Sequence, residues 1–71
     1  MGGIFVNIHL NGENREVPDD LSVMELVGHL GFEPGWVVVE HNLKALDRTL
    51  WTSTPLLDGD QIELVRFMGG G

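Results

Sequence analysis

The chain contains one strongly marked helical segment, residues 21–32, and this feature restricts it to folds built around a single helix. Ser22 and Glu25 have the spacing of a capping box, in which each side chain bonds a backbone N–H at the helix start. Apolar residues then recur at helical spacing and form one stripe: Val23, Leu26, Val27 and Leu30. Gly31 stands where a left-handed residue ends a helix. Gly28 costs about 1 kcal/mol relative to alanine inside a helix, so we expect close packing against it.

Alternating apolar residues predict strands on both sides of this helix. Residues 4–10 form a strand whose apolar positions are Ile4, Val6, Ile8 and Leu10. Asn11-Gly12 follows and is a strong hairpin signal because both residues tolerate positive φ. A polar return strand at residues 13–17 completes the hairpin. After the helix, residues 36–40 and 61–67 read as strands. Between them we expect a turn with a short return strand at 42–46 and a helical turn at 48–51. A short segment at the sheet edge at 54–57 and a tight turn at 58–60 should follow.

The element order is therefore hairpin, helix, strand, irregular segment and strand. One helix packed on one mixed sheet is the two-layer solution for a chain of 71 residues. Burying the apolar faces of the first and last strands against the same helix requires both strands to be central. The sequence thus predicts an α+β fold of the β-grasp (ubiquitin-like) type, with a four- to five-stranded sheet. Residues 1–68 form the single domain, and residues 69–71 form a flexible glycine tail.

Charge and composition exclude several classes of function. Four basic and 11 acidic residues give a formal net charge of -7, which disfavours nucleic acid and anionic membranes because phosphate binding relies on clustered Lys and Arg. The same charge suits a basic protein partner. There is no cysteine and no apolar run of membrane-spanning length. A small disulfide-free domain without a signal peptide is most simply cytoplasmic.

The chain ends in Gly69, Gly70 and Gly71, directly after a strand. Glycine gives no side-chain contact and passes through slots too narrow for a Cβ. A carboxylate on such a tail can be delivered into the active site of another protein, although termini are often frayed for no functional reason. Strand alternation places several apolar side chains near this tail on the open face of the sheet, which suggests a protein contact. The predicted partner-binding residues are Phe5, Val38, Glu63, Val65, Phe67 and Met68.

No catalytic constellation is present, and we predict that the chain is not an enzyme. Its three histidines, His9, His29 and His41, are scattered over different elements without the spacing of metal ligands. We therefore predict no metal site, no catalytic residue and no bound cofactor.

These motifs resemble the ThiS family, the small sulfur carriers of thiamin synthesis. The resemblance rests on Asn11-Gly12, Val37–Glu40, Arg48, Asp58-Gly59-Asp60, Ile62-Glu63 and the terminal Gly-Gly-Gly. It implies that an E1-like (ThiF-type) enzyme uses ATP to adenylate the Gly71 carboxylate. It further implies that a sulfur-donor system converts the adenylate to a thiocarboxylate, which gives its sulfur to thiazole synthase (ThiG-type). One departure is Leu43 after Asn42, where the family often has Asn-Gly.

Two alternatives remain open at this point. The chain could carry sulfur for another pathway, such as molybdopterin or amino-acid synthesis, with the same terminal chemistry. It could also be a stand-alone β-grasp module that binds a partner through its sheet, in which case the glycine tail has no role.

Overall fold

The structure, a computed structural model, describes residues 4–67. Its five strands are β1 (Phe5–Leu10), β2 (Glu13–Pro18), β3 (Val37–His41), β4 (Lys44–Ala45) and β5 (Gln61–Arg66). The helix α1 spans Val23–His29, and two 3-10 turns span Pro34–Trp36 and Arg48–Leu50. The predicted hairpin, short return strand and helical turn are therefore confirmed. The edge segment expected at 54–57 is reduced to one isolated bridge between Ser22 and Pro55.

The strands form one mixed sheet in the order β2-β1-β5-β3-β4. β1 runs antiparallel to β2 and parallel to β5, while β3 runs antiparallel to both β5 and β4. The first and last strands are thus interior neighbours, as required to bury both apolar faces under one helix. The predicted α+β, β-grasp fold is confirmed.

Both ends of α1 are capped as the sequence predicts. Ser22 Oγ accepts a hydrogen bond from the Glu25 N–H, and the Glu25 carboxylate accepts one from the Ser22 N–H. At the other end, Gly31 has φ +84° and the Phe32 N–H donates to the Val27 carbonyl at 3.1 Å. This pattern satisfies the last carbonyls of the helix and turns the chain away. These local signals fix the length of α1.

The expected close packing against Gly28 is wrong. A Cβ placed on Gly28 would meet no heavy atom within 4 Å. Gly28 is exposed, because it lies off the apolar stripe that faces the sheet. The residue therefore costs helix stability without a packing benefit.

The core lies between the helix stripe and the inner face of the sheet. Its buried apolar members are Ile8, Leu10, Val17, Val23, Leu26, Val27, Val37, Val39, Trp51, Leu56, Ile62 and Leu64. Trp51 is 1% exposed, and its indole N–H donates to the Leu46 carbonyl at 3.0 Å. The irregular segment before β5, which contains Trp51, thus covers one end of the core. Ile4, which we expected to be buried, is exposed because it precedes the last pair of the hairpin, Phe5 with Pro18.

No helix in the described part of the chain, residues 4–67, has the length and apolar character needed to cross a bilayer.

Candidate functional site

The tip of the first hairpin holds the middle of β5 in place. Asn11 adopts φ +50°, as the Asn-Gly turn requires, and its N–H donates to the Ile62 carbonyl at 2.9 Å. Its side-chain oxygen accepts a hydrogen bond from the Leu64 N–H at 2.8 Å. The Asn11 amide therefore continues the β1–β5 pairing beyond the last residue of β1. This contact fixes the position of β5 beside the first hairpin.

Arg66 and Phe67, at the end of β5 and directly after it, are held by contacts with Phe32 and Trp36. The Arg66 guanidinium lies 5.6 Å from the centroid of the Phe32 ring, a distance at which a cation is attracted to the ring face. The Phe67 N–H donates to the Trp36 carbonyl at 3.0 Å. The chain is thus bonded to the domain up to Phe67. The predicted contact at Met68 and the predicted tail at 69–71 lie outside the described residues.

Val38, Val65 and Phe67 form an apolar patch on the open face beside the end of β5. Val38 pairs directly with Val65 across β3 and β5, and Phe67 continues the same alternation. Their side chains are 39%, 55% and 47% exposed, respectively. An exposed cluster of this kind commonly marks a protein contact. Three of the predicted partner-binding residues are therefore brought together where the chain exits the sheet.

Phe5 lies on the same face but away from this patch. It is 52% exposed, and the parallel register pairs His9 of β1 with Gln61 of β5. Phe5 lies four positions before His9, and Val65 lies four positions after Gln61, so the two are separated by eight positions, or about 26 Å along the strands. Phe5 and the apolar patch therefore cannot contact the same small site on a partner.

Glu63 gives the open face a negative charge next to the apolar patch. It lies directly opposite Glu40, and both side chains are exposed. Like charges at directly opposed positions destabilise a sheet. Within residues 4–67 neither glutamate forms a salt bridge, since the ion pair found there joins His41 and Asp60. The face therefore attracts cationic groups.

A buried aspartate fixes the other end of β5. Asp60 is 6% exposed and accepts hydrogen bonds from the Leu57 N–H at 2.9 Å and the Asn42 side-chain amide at 3.1 Å. His41 Nε2 lies 3.1 Å from the Asp60 carboxylate. Burial alone would raise the pKa of Asp60, but these hydrogen bonds outweigh it and lower the pKa below its ordinary value. Asp60 thus ties the β3–β4 turn to the start of β5.

The sequence interpretation missed two features of this region. It treated Asp58-Gly59-Asp60 only as a tight turn. The burial of Asp60 was missed because it depends on contacts with Asn42 and His41, which lie 18 and 19 positions earlier in the chain. It also placed Leu43 in an ordinary turn, whereas Leu43 has φ +73° and is 83% exposed. The only available signal for Leu43 was the absence of glycine after Asn42.

No three His, Cys, Asp or Glu residues lie close enough to hold a metal ion within the described range 4–67. Every buried side-chain nitrogen and oxygen in that range has a hydrogen-bond partner.

Comparison with known proteins shows which family the chain resembles. The sequence model of the ThiS family matches residues 8–71. The chain is 37% identical over 62 residues to a thiazole synthase of Paramagnetospirillum magneticum and 39% identical over 66 residues to a thiazole synthase of Magnetococcus marinus. These matches cover 87% and 93% of this chain but 19% and 20% of the synthases, so the chain spans about one fifth of their length.

A solved structure matches along nearly the whole chain. The crystal structure of the thiamine biosynthesis protein ThiS from Geobacter metallireducens superimposes with a TM-score of 0.79 at 36% identity. The match covers 93% of this chain and 100% of that one. The family match, the shared fold and the level of identity agree, and the chain belongs to the ThiS family.

Proposed function

We propose that this chain carries sulfur for thiazole formation in thiamin biosynthesis, and that the carboxylate of Gly71 is the group that carries it. The observation that carries the proposal is the match of residues 8–71, glycine tail included, to the ThiS family. The geometry supports it, since β5 runs towards the tail beside an exposed apolar patch.

In the proposed reaction the Gly71 carboxylate is activated before sulfur is added. A carboxylate oxygen attacks the α-phosphorus of ATP in the active site of an E1-like enzyme, and pyrophosphate leaves. Hydrosulfide, or its equivalent from a sulfur-donor system, then attacks the acyl carbon and displaces AMP. The product is a thiocarboxylate. The activating enzyme binds ATP and its metal ion, so the carrier needs neither a cofactor nor a general base of its own.

The carrier has two tasks in this scheme: to present a reachable terminus and to dock. Val38, Val65 and Phe67 are exposed at the point where the chain leaves the sheet. Docking through this patch would position the residues that follow Phe67 at the partner's active site. Asn11 bonds to the middle of β5, and Trp36 bonds to Phe67 directly after it, so the patch stays in a fixed position relative to the end of the strand.

Thiazole synthase is the proposed acceptor of the sulfur. Two relatives that bear this name contain a segment similar to the chain within a much longer protein. Covalent linkage raises the effective concentration of two modules that must meet. The occurrence of this module within such proteins supports a functional partnership with thiazole synthase.

The proposal is tested by altering the terminus without altering the domain. The wild-type chain, a chain lacking Gly71 and a chain with one alanine added after Gly71 are incubated with the E1-like enzyme and ATP, and pyrophosphate release is measured. We expect release with the wild type alone and identical melting temperatures for all three. Pyrophosphate release with the extended chain, without removal of the added residue, would contradict the proposal.

A further inference from the structure

Leu43 is held in a conformation that is unfavourable for the isolated domain. It follows Asn42 in the β3–β4 turn, and both residues have positive φ, +52° for Asn42 and +73° for Leu43. Asparagine tolerates this region, whereas a leucine side chain is strained there. Leu43 is also 83% exposed, the highest value among the large apolar residues exposed in the described range. The domain thus bears a conformational cost and gains no burial from this side chain.

Leu43 lies on the same surface as the proposed docking residues. It lines a groove of about 190 Å³ together with His9, Gly12, Gln61 and Glu63. From this groove β5 leads through Glu63 to Val65 and then to Phe67. The six positions from Gln61 to Phe67 span about 20 Å. We call the surface formed by Leu43, Glu40, Glu63 and the apolar patch the docking strip.

The middle of the docking strip is acidic. Glu40 and Glu63 oppose each other between the Leu43 end and the apolar patch, and directly opposed residues have Cβ atoms about 4.5–5.5 Å apart. The partner position of Glu40 on β4 is Ala45, which brings no positive charge. A Lys or Arg of another protein would relieve this repulsion. If the interface excluded water, the attraction between that basic side chain and the two glutamates would become stronger.

We propose that Leu43 is a second anchor of the docking strip and inserts into an apolar pocket of the E1-like enzyme, which places a Lys or Arg against Glu40 and Glu63. The inference rests on the proposed function, because the strip continues the patch beside β5. Its occupant is a folded protein surface with a basic side chain next to an apolar pocket. Binding offsets two costs of the isolated domain, the exposure of the Leu43 side chain and the repulsion between Glu40 and Glu63.

The test uses substitutions whose effects on stability and binding have different signs. Leu43→Gly relieves the positive φ, so its melting temperature should not fall below that of the wild type. Its affinity for the E1-like enzyme, measured by calorimetry, should fall at least ~10-fold, as expected when an anchor is removed. Leu50→Ala is the matched control, because Leu50 is also exposed but lies outside the strip. Its affinity should equal that of the wild type.

The charge is tested separately with Glu63→Gln. This change removes one member of the opposed pair, so we expect an unchanged or higher melting temperature together with weaker binding. Wild-type affinity in Glu63→Gln would overturn the basic character assigned to the partner.

The outcomes separate this inference from the proposed function. Binding by the wild type and equal binding by Leu43→Gly would overturn the role of Leu43 and leave the proposed function intact. Equal weakening by Leu43→Gly and Leu50→Ala would also overturn it. Failure of the wild type itself to bind the E1-like enzyme would contradict both.

Discussion

Replacement of Asp60 by Asn should destabilise the domain strongly, because it removes the one buried charge in the described range, residues 4–67. The substitution keeps the shape of the side chain but replaces one acceptor oxygen by an NH2 group. Donors approach both oxygens, the Leu57 N–H at Oδ2 and the Asn42 amide at Oδ1. Either orientation of the new amide therefore sets a donor against a donor.

The size of the effect follows from these contacts. A hydrogen bond to a charged group contributes about 1.5–3 kcal/mol, and an unsatisfied buried donor costs about 1–3 kcal/mol. We expect Asp60→Asn to lower the free energy of unfolding by about 3 kcal/mol. A domain of 71 residues has a total stability of roughly 4–10 kcal/mol. At about 4–8 °C per kcal/mol for domains of this size, the melting temperature should fall by roughly 12–24 °C.

The pH dependence gives the assay a second check. The pKa of Asp60 is lowered in the folded state from an ordinary value of 3.8. A carboxyl with a lowered pKa stabilises the fold fully above its unfolded pKa, and this contribution is lost as pH falls through the folded pKa. Thermal unfolding should therefore show the full difference between wild type and Asp60→Asn near pH 7 and a shrinking difference below about pH 4.

Asp47→Asn is the matched control. The Asp47 carboxylate accepts hydrogen bonds from the Thr49 N–H and hydroxyl, which lower its pKa as well, but Asp47 is exposed. Asparagine is an equally good capping residue, so the melting temperature should hardly change. Equal stability of Asp60→Asn and wild type, or a difference that persists undiminished at pH 3, would refute this account of Asp60.

Further predictions concern the helix and the docking strip. Gly28→Ala should raise the free energy of unfolding by about 1 kcal/mol, because the site is open and helical. Gly31→Ala should lower it by about 1 kcal/mol, because φ is +84° there, and opposite signs in denaturant titrations would verify both. Phe67→Ala should weaken binding to the E1-like enzyme by at least ~2 kcal/mol with little change in melting temperature, since Phe67 is 47% exposed; equal losses would assign it to the core. Added salt should slow association in stopped-flow measurements and leave dissociation nearly unchanged, because long-range attraction by a chain of net charge -7 is screened beyond about 10 Å at 0.1 M salt. An on-rate independent of salt would limit the acidity to a role in solubility.

The features that the sequence predicted correctly are those set by nearby residues. The capping box at Ser22, the left-handed Gly31 and the Asn11-Gly12 hairpin each act over a few positions. The apolar alternation of β1 and β5 then indicated which faces meet the helix. These signals were sufficient for the element order and the β-grasp topology.

The features that the sequence did not predict concern contacts and distances between residues far apart in the chain. The parallel register of β1 and β5 has no sequence signal, and it alone separates Phe5 from Val65. Burial of Asp60 depends on the β3–β4 turn. The open space at Gly28 depends on what the rest of the fold leaves uncovered. The sequence thus predicted on which face of the sheet a side chain lies. It did not predict how far apart two side chains on different strands are along the strand direction.

The central claim, that the carboxylate of Gly71 carries sulfur, is tested most directly by the intact mass of the chain after incubation with ATP, sulfide and the E1-like enzyme. We predict a mass increase equal to the replacement of one oxygen by one sulfur, located at Gly71 by fragmentation, and absent when ATP or the enzyme is omitted. An unchanged mass in the complete reaction, or sulfur found at another residue, would contradict the claim.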